Sequence, residues 1–158
     1  MKKSKTLTLF CLLATAAIAV AASTTPVFQL RLVLDAPADS ESMTYVTHYQ
    51  GRSDTNVLNI QKTVLLDETA LKSVKADQDG LKQPVLAITL TDAGAKKFAE
   101  VTRQNIHKRL AIVINGQLLT APVIQSEISD GKIQITGSFT RQEVKDLAKK
   151  ISDASTKK

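Results

Sequence analysis

Apolar and polar residues alternate near the start of the chain, with Phe28, Leu30, Leu32 and Leu34 in one phase and Gln29 and Arg31 in the other. That period of two predicts a strand over 27–34 with one buried face. Leu58, Ile60, Val64 and Leu66 share a parity interrupted by Lys62, which predicts a second long strand over 57–66. Residues 35–56 read as a long polar excursion, in which only 44–49 carries the β-branched and aromatic residues of an edge strand. Residues 68–74 suit a short helix, Asp77-Gln78-Asp79-Gly80 a loop, and 84–90 a strand with Leu86, Ile88 and Leu90 in phase.

The period then changes. Ala95, Phe98, Val101 or Thr102, and Ile106 recur at three and four residues, predicting a helix over 92–106 with Thr91 as N-cap and Asp92 at the positive end of its dipole. Residues 110–114 are apolar on both parities, as in a strand covered on both sides. Asn115-Gly116 supplies the positive φ of a two-residue type I′ turn, so 117–119 pairs back, and Asp130-Gly131 repeats the device. Pro122 cannot donate a ladder hydrogen bond and marks an edge or bulge before strands over 123–128 and 132–136. Thr140 and Glu143 form a capping-box pattern ahead of Val144, Leu147, Ala148 and Ile151, which predicts a helix over 141–152 and a flexible tail over 153–158. The fold class is α+β: a mostly antiparallel sheet around a 109–136 meander, with the two main helices packed on one face.

The N-terminus changes the compartment. Lys2, Lys3 and Lys5 precede an uncharged run over 6–20 that ends in Ala19-Val20-Ala21, the pattern of a cleaved secretory signal over 1–21. The run is shorter than the roughly 20 residues that cross a bilayer as a helix. A single domain over 22–152 is expected, periplasmic or secreted, with no transmembrane segment after cleavage. Cys11 is the only cysteine and leaves with the signal, so disulfide and thiol chemistry leave with it.

Charge and residue inventory narrow the chemistry. The chain has 21 Lys and Arg against 15 Asp and Glu, interspersed, and no Trp, unlike the clustered basic and aromatic surface of a nucleic-acid binder. His48 and His107 are far apart and without neighbouring ligands, so no metal site and no cofactor are expected. Asp77-Gln78-Asp79-Gly80 lacks the earlier acid of a calcium loop, since Lys75 stands there. No nucleophile elbow occurs, and nothing argues for an enzyme. Tyr45 and Tyr49 share a face if 44–49 is extended, and two amphipathic rings beside a strand edge could receive an extended peptide. Rings at a sheet margin also commonly pack inward, and covering the core is the competing role.

Read together, LTDAGAKKFAEVT over 90–102, LAIVINGQLLTAPVIQSEISDGKIQITGSFT over 110–140 and FTRQEVKDLA over 139–148 resemble the periplasmic P1 head subdomain of SecD, an accessory subunit of the bacterial export translocon. The resemblance is strongest over 57–151 and rests on Gly94, Phe98, Thr102, Ala111-Ile112-Val113, Gly116, Ala121-Pro122, Gly131, Ile135-Thr136-Gly137 and Phe139-Thr140, each of which also has a scaffold role as turn, cap or core. It implies a head without the membrane-embedded part, and a non-catalytic module that contacts polypeptide, assisting export or envelope quality control, with the Sec machinery as a candidate partner. A docking domain for one folded envelope partner is the second reading, and a small secreted hydrolase the third.

Overall fold

β1 (Phe28–Leu34) is the strand around which the sheet is assembled in the computed structural model, which describes residues 25–49 and 52–156. The stretch over 1–21 expected to be a secretory signal, with Cys11, lies outside the described residues. On one side β1 pairs antiparallel with β7 (Leu110–Ile114), Phe28 opposite Ile114 and Leu32 opposite Leu110. β8 (Gln117–Thr120) folds back on β7 through Asn115 and Gly116, at φ 51° and 73°, the double positive φ that the turn requires. On its other side β1 meets β3 (Arg52–Gln61) at Val33 and the two-residue β4 (Leu66–Asp67) at Leu30. β2 (Ser40–Tyr49) pairs with β3 along its whole length, giving the order β2-β3-β1-β7-β8 with β4 beside β1.

The hairpin of β2 and β3 corrects the polar excursion expected over 35–56. Its strands are long, but Glu41 and Asn56 fall in the inward phase of Met43, Tyr45, Leu58 and Ile60 while Val57 falls in the outward one, so register is carried by backbone pairing and by a few inward side chains. The strand expected over 57–66 is likewise divided. Leu58 and Ile60 face one side of the sheet, whereas Leu66 joins β4 and packs into the core on the other.

A second sheet, in the order β5-β6-β9, is formed by β5 (Leu71–Gln78), β6 (Pro84–Leu90) and β9 (Lys132–Ile135). The helix expected over 68–74 is replaced by a 3₁₀ turn at Glu68–Ala70 and the start of β5, because pairing Val74 with Ile88 outweighs a weak local preference. Nor is 109–136 a meander. Residues 123–128 make only an isolated bridge, Val123 to Arg109, and β9 crosses to pair with β6, Ile133 opposite Ile88.

α1 (Asp92–Gln104) and α2 (Arg141–Ser155) begin where their caps predict. Thr91 Oγ1 accepts from Gly94 N at 3.1 Å, and at Thr140 both halves of the capping box are made. α2 continues through Ser155, three residues past the expected end, with Lys149 Nζ donating to Asp153 Oδ2 at 2.8 Å. Phe98 of α1 and Val144, Ala148 and Ile151 of α2 join Phe28, Leu30, Leu86, Ile88, Ile112 and Ile135 in one buried cluster, so both helices cover the same core between the sheets. Ile106, placed on the helix stripe by its spacing, lies beyond the end of α1 and is 39% exposed.

Candidate functional site

The opposite face of the larger sheet carries a second apolar cluster, Ile60, Ala111, Val113, Leu118 and Ala121, with Val33, Met43, Tyr45 and Leu58 packed against it. This is why β7 is apolar on both parities, as its sequence predicts. The sheet curls until its edge strands β2 and β8 approach each other, although neither hydrogen-bonds the other as a strand partner. Between them lies an open cleft of ≈ 510 Å³, bordered by Glu41, Met43 and Thr44 on β2 and by Gly116, Gln117 and Leu118 on the other wall.

Polar groups sit under this face where the alternation of β1 predicts solvent. Gln29 and Arg31 are 1% and 9% exposed. The curl of the sheet removes them from water, so their polar atoms need partners. Gln29 Nε2 donates to the Pro26 carbonyl oxygen at 2.8 Å, and the Arg31 guanidinium pairs with Glu41 of β2. That ion pair reaches from β1 past β3 to the border of the cleft. Among the described residues, Gln29 Oε1 and Arg31 Nε have no hydrogen-bond partner. Their alternation with Phe28, Leu30 and Leu32 predicts a solvent face, so the sequence carries no signal for the burial of either residue or for the partnering acid that a buried cation needs.

Tyr45 is half-buried against the second cluster, opposite Asn56 on β3, so its ring covers that core. Tyr49 pairs its backbone with Arg52, and its side chain lies outside the described residues. The other motif residues are distributed through the scaffold. Phe98 is buried at 1% exposure, Pro122 offers its carbonyl to Leu110 N at 2.8 Å, and Gly131 accepts from Leu90 N at 2.8 Å. Gly137 lies against the Phe139 ring. A Cβ on Gly94 would stand 2.6 Å from the Ala70 carbonyl oxygen, so α1 can approach the 3₁₀ turn only because this position has no side chain.

Among the described residues no three His, Cys, Asp or Glu side chains converge as a metal site would need. No described helix is long and apolar enough to cross a membrane. His107 follows α1 at a positive φ of 69°, and His48 lies in β2. The Glu143 carboxyl is held below its usual range by the hydrogen bonds it accepts from the Thr140 backbone and side chain, a capping effect remote from the cleft.

The arrangement of sheets and helices is shared with known proteins. Residues 42–155 match the model of the SecDF P1 head subdomain. The chain is 48% identical over 84 residues to the protein translocase subunit SecD of Sebaldella termitidis, an alignment covering 53% of this chain and 21% of that protein. It is 35% identical over 113 residues to SecD of Magnetococcus marinus, covering 71% of this chain and 22% of that one. The chain therefore spans about a fifth of the length of these curated relatives. Among solved structures, SecDF described as a membrane component that enhances protein export superposes with a TM-score of 0.64 at 30% identity, over 80% of this chain and 61% of that one. SecDF in its super-membrane-facing form gives 0.63 at 30% identity, over 80% of this chain and 18% of that one. On the extent of the family match and the agreement in fold, the chain belongs to the SecDF P1 head subdomain family.

Proposed function

We propose that this chain is a non-catalytic module that contacts extended polypeptide on the outer side of the membrane and works beside the Sec export machinery. The observation that carries the proposal is the pair of outer strand edges, β2 and β8, which pair with no further strand among the described residues and border a cleft with Met43 and Leu118 in its walls. An extended segment can hydrogen-bond a strand edge through its main chain, which gives affinity tolerant of sequence, while apolar walls take up alternate side chains. Family membership supports the link to export, and the signal-like N-terminus supports the compartment. Tyr45 then acts from below, supporting the β2 wall, while Tyr49 lies further along the same strand.

Photo-cross-linking tests this. A photoreactive residue at Thr44 or Gln117, both at the cleft, is expected to capture an unfolded client chain, whereas one at Lys150 on α2 is not. Equal capture at all three positions overturns the placement of the site. A stoichiometric complex with one folded envelope protein, and no capture of unfolded chains, overturns the function itself in favour of a docking domain.

A further inference from the structure

A second recess lies at the far end of β1, where the chain leaves α1 and enters β7. Residues 107–109 run antiparallel to 122–124: His107 N donates to the Ile124 carbonyl oxygen at 2.8 Å, Ile124 N to that of Lys108 at 2.9 Å, and Arg109 bridges Val123. Together with Val33, Leu34 and Asp35 these segments enclose a cleft of ≈ 440 Å³. Its walls combine two chemistries. Val33, Leu34 and Val123 are aliphatic, with Val123 43% exposed, while Lys108, Arg109 and His107 supply cationic or protonatable groups.

No acidic residue occurs between Glu100 and Glu127 to neutralise this corner from its own segment. Among the described residues, Lys108 and Arg109 are in no salt bridge, and the one acid of the cleft, Asp35, pairs with neither. Arg109 is also oriented. Its Nε donates to the Ala121 carbonyl oxygen at 2.9 Å, which orients the guanidinium, and among the described residues its two terminal nitrogens make no salt bridge. A fixed guanidinium fork matches a carboxylate in geometry and charge better than a freely rotating ammonium does. Lys108, whose Nζ donates to Asn105 Oδ1 at 3.1 Å, stands beside it at the surface.

We infer that this recess is a subsite for acidic, aliphatic-flanked polypeptide segments, a carboxylate seated on the Arg109 fork and its apolar neighbour against Val33, Leu34 and Val123. The inference rests on the polypeptide-contact reading above and adds a preference to it. Charge complementarity selects the occupant: a basic or neutral segment would leave the fork unpaired in a partly apolar recess.

Three labelled peptides of one aliphatic scaffold, carrying Glu, Gln or Lys at the same positions, test it by fluorescence anisotropy with the purified chain. The Glu peptide is expected to bind about tenfold more tightly than the Gln peptide, an advantage that shrinks with added salt. R109Q should abolish the difference and R109K should keep part of it. K108Q, at an exposed position, should reduce it without touching the Ala121 contact, which keeps the test decisive if R109Q fails to fold. Equal binding of Glu and Gln peptides overturns the acidic preference and leaves polypeptide contact standing. Failure of all three to bind overturns both. Binding to vesicles containing anionic phospholipid, with no response to the Glu peptide, overturns the subsite in favour of lipid headgroups.

Discussion

Gly94 and Thr140 show how much single residues decide here. The missing side chain at Gly94 lets the first turn of α1 rest on Ala70, and Gly94→Ala gains helix propensity yet places a methyl 2.6 Å from a carbonyl oxygen. The clash dominates, because overpacking costs about 1–3 kcal/mol and the propensity gain is no more than about 1 kcal/mol. Chemical denaturation should therefore show net destabilisation. At Thr140 the hydroxyl accepts from Glu143 N at 3.2 Å, and Thr140→Ala should cost roughly 1 kcal/mol in the same measurement.

Glu143 adds a pH dependence whose sign follows from its hydrogen bonds. Its carboxyl is lowered from 4.5 in the folded chain by the Thr140 backbone and side chain, so the unfolded state binds a proton first as pH falls. The contribution is present above 4.5 and is lost as pH drops through the folded value. Glu143→Gln can still accept at the cap but does not titrate in that range. Denaturation curves of the two proteins should therefore lie further apart at neutral pH than well below 4.5, and a constant difference would refute the assignment.

At the scale of elements, the β2–β3 hairpin is the least self-sufficient part of the larger sheet. β3 meets β1 only at Val33 and Leu34, so the hairpin depends on a short stretch of pairing, on Ile60 and on the Arg31–Glu41 ion pair. Removing Glu41 strands a largely buried guanidinium, a penalty that reaches about 3–5 kcal/mol for a fully buried pair and is smaller here because the Glu41 side chain is 44% exposed. Glu41→Ala should accelerate amide exchange in β2 and β3 while α1 and α2 keep their protection. Uniform acceleration throughout the chain would show that the hairpin does not open separately.

At the scale of the molecule, two cores share one sheet. The larger lies between the sheets and under both helices, and Phe98 stands in it at 1% exposure. Phe98→Ala should cost about 3–5 kcal/mol in thermal or denaturant unfolding, because it leaves a void in a cluster that draws on both halves of the chain. The smaller core supports the face under the β2–β8 cleft. The proposed polypeptide contact therefore depends on whole-sheet curvature, while the proposed acidic subsite at Arg109 depends on a local crossing of two segments.

What the sequence determined by itself was local and periodic. The caps at Thr91 and Thr140, the Asn115-Gly116 turn, the strand at Pro84–Leu90 and the doubly buried Leu110–Ile114 were legible because each is governed by neighbours a few residues away. The motif residues over 90–140 identified the family for the same reason, since turns, caps and helix approaches leave recognisable spacings. Tertiary structure decided the rest. Whether Leu71–Gln78 begins as helix or strand depended on β6, and whether Lys132–Ile135 stays with its neighbours or crosses to the other sheet depended on pairing with Ile88. The cleft was invisible in sequence, because β2 and β8 are brought together only by the curl of the sheet between them. The same curl buries Gln29 and Arg31, whose alternation predicts an exposed face: period assigns residues to a side, and long-range packing decides whether that side meets water.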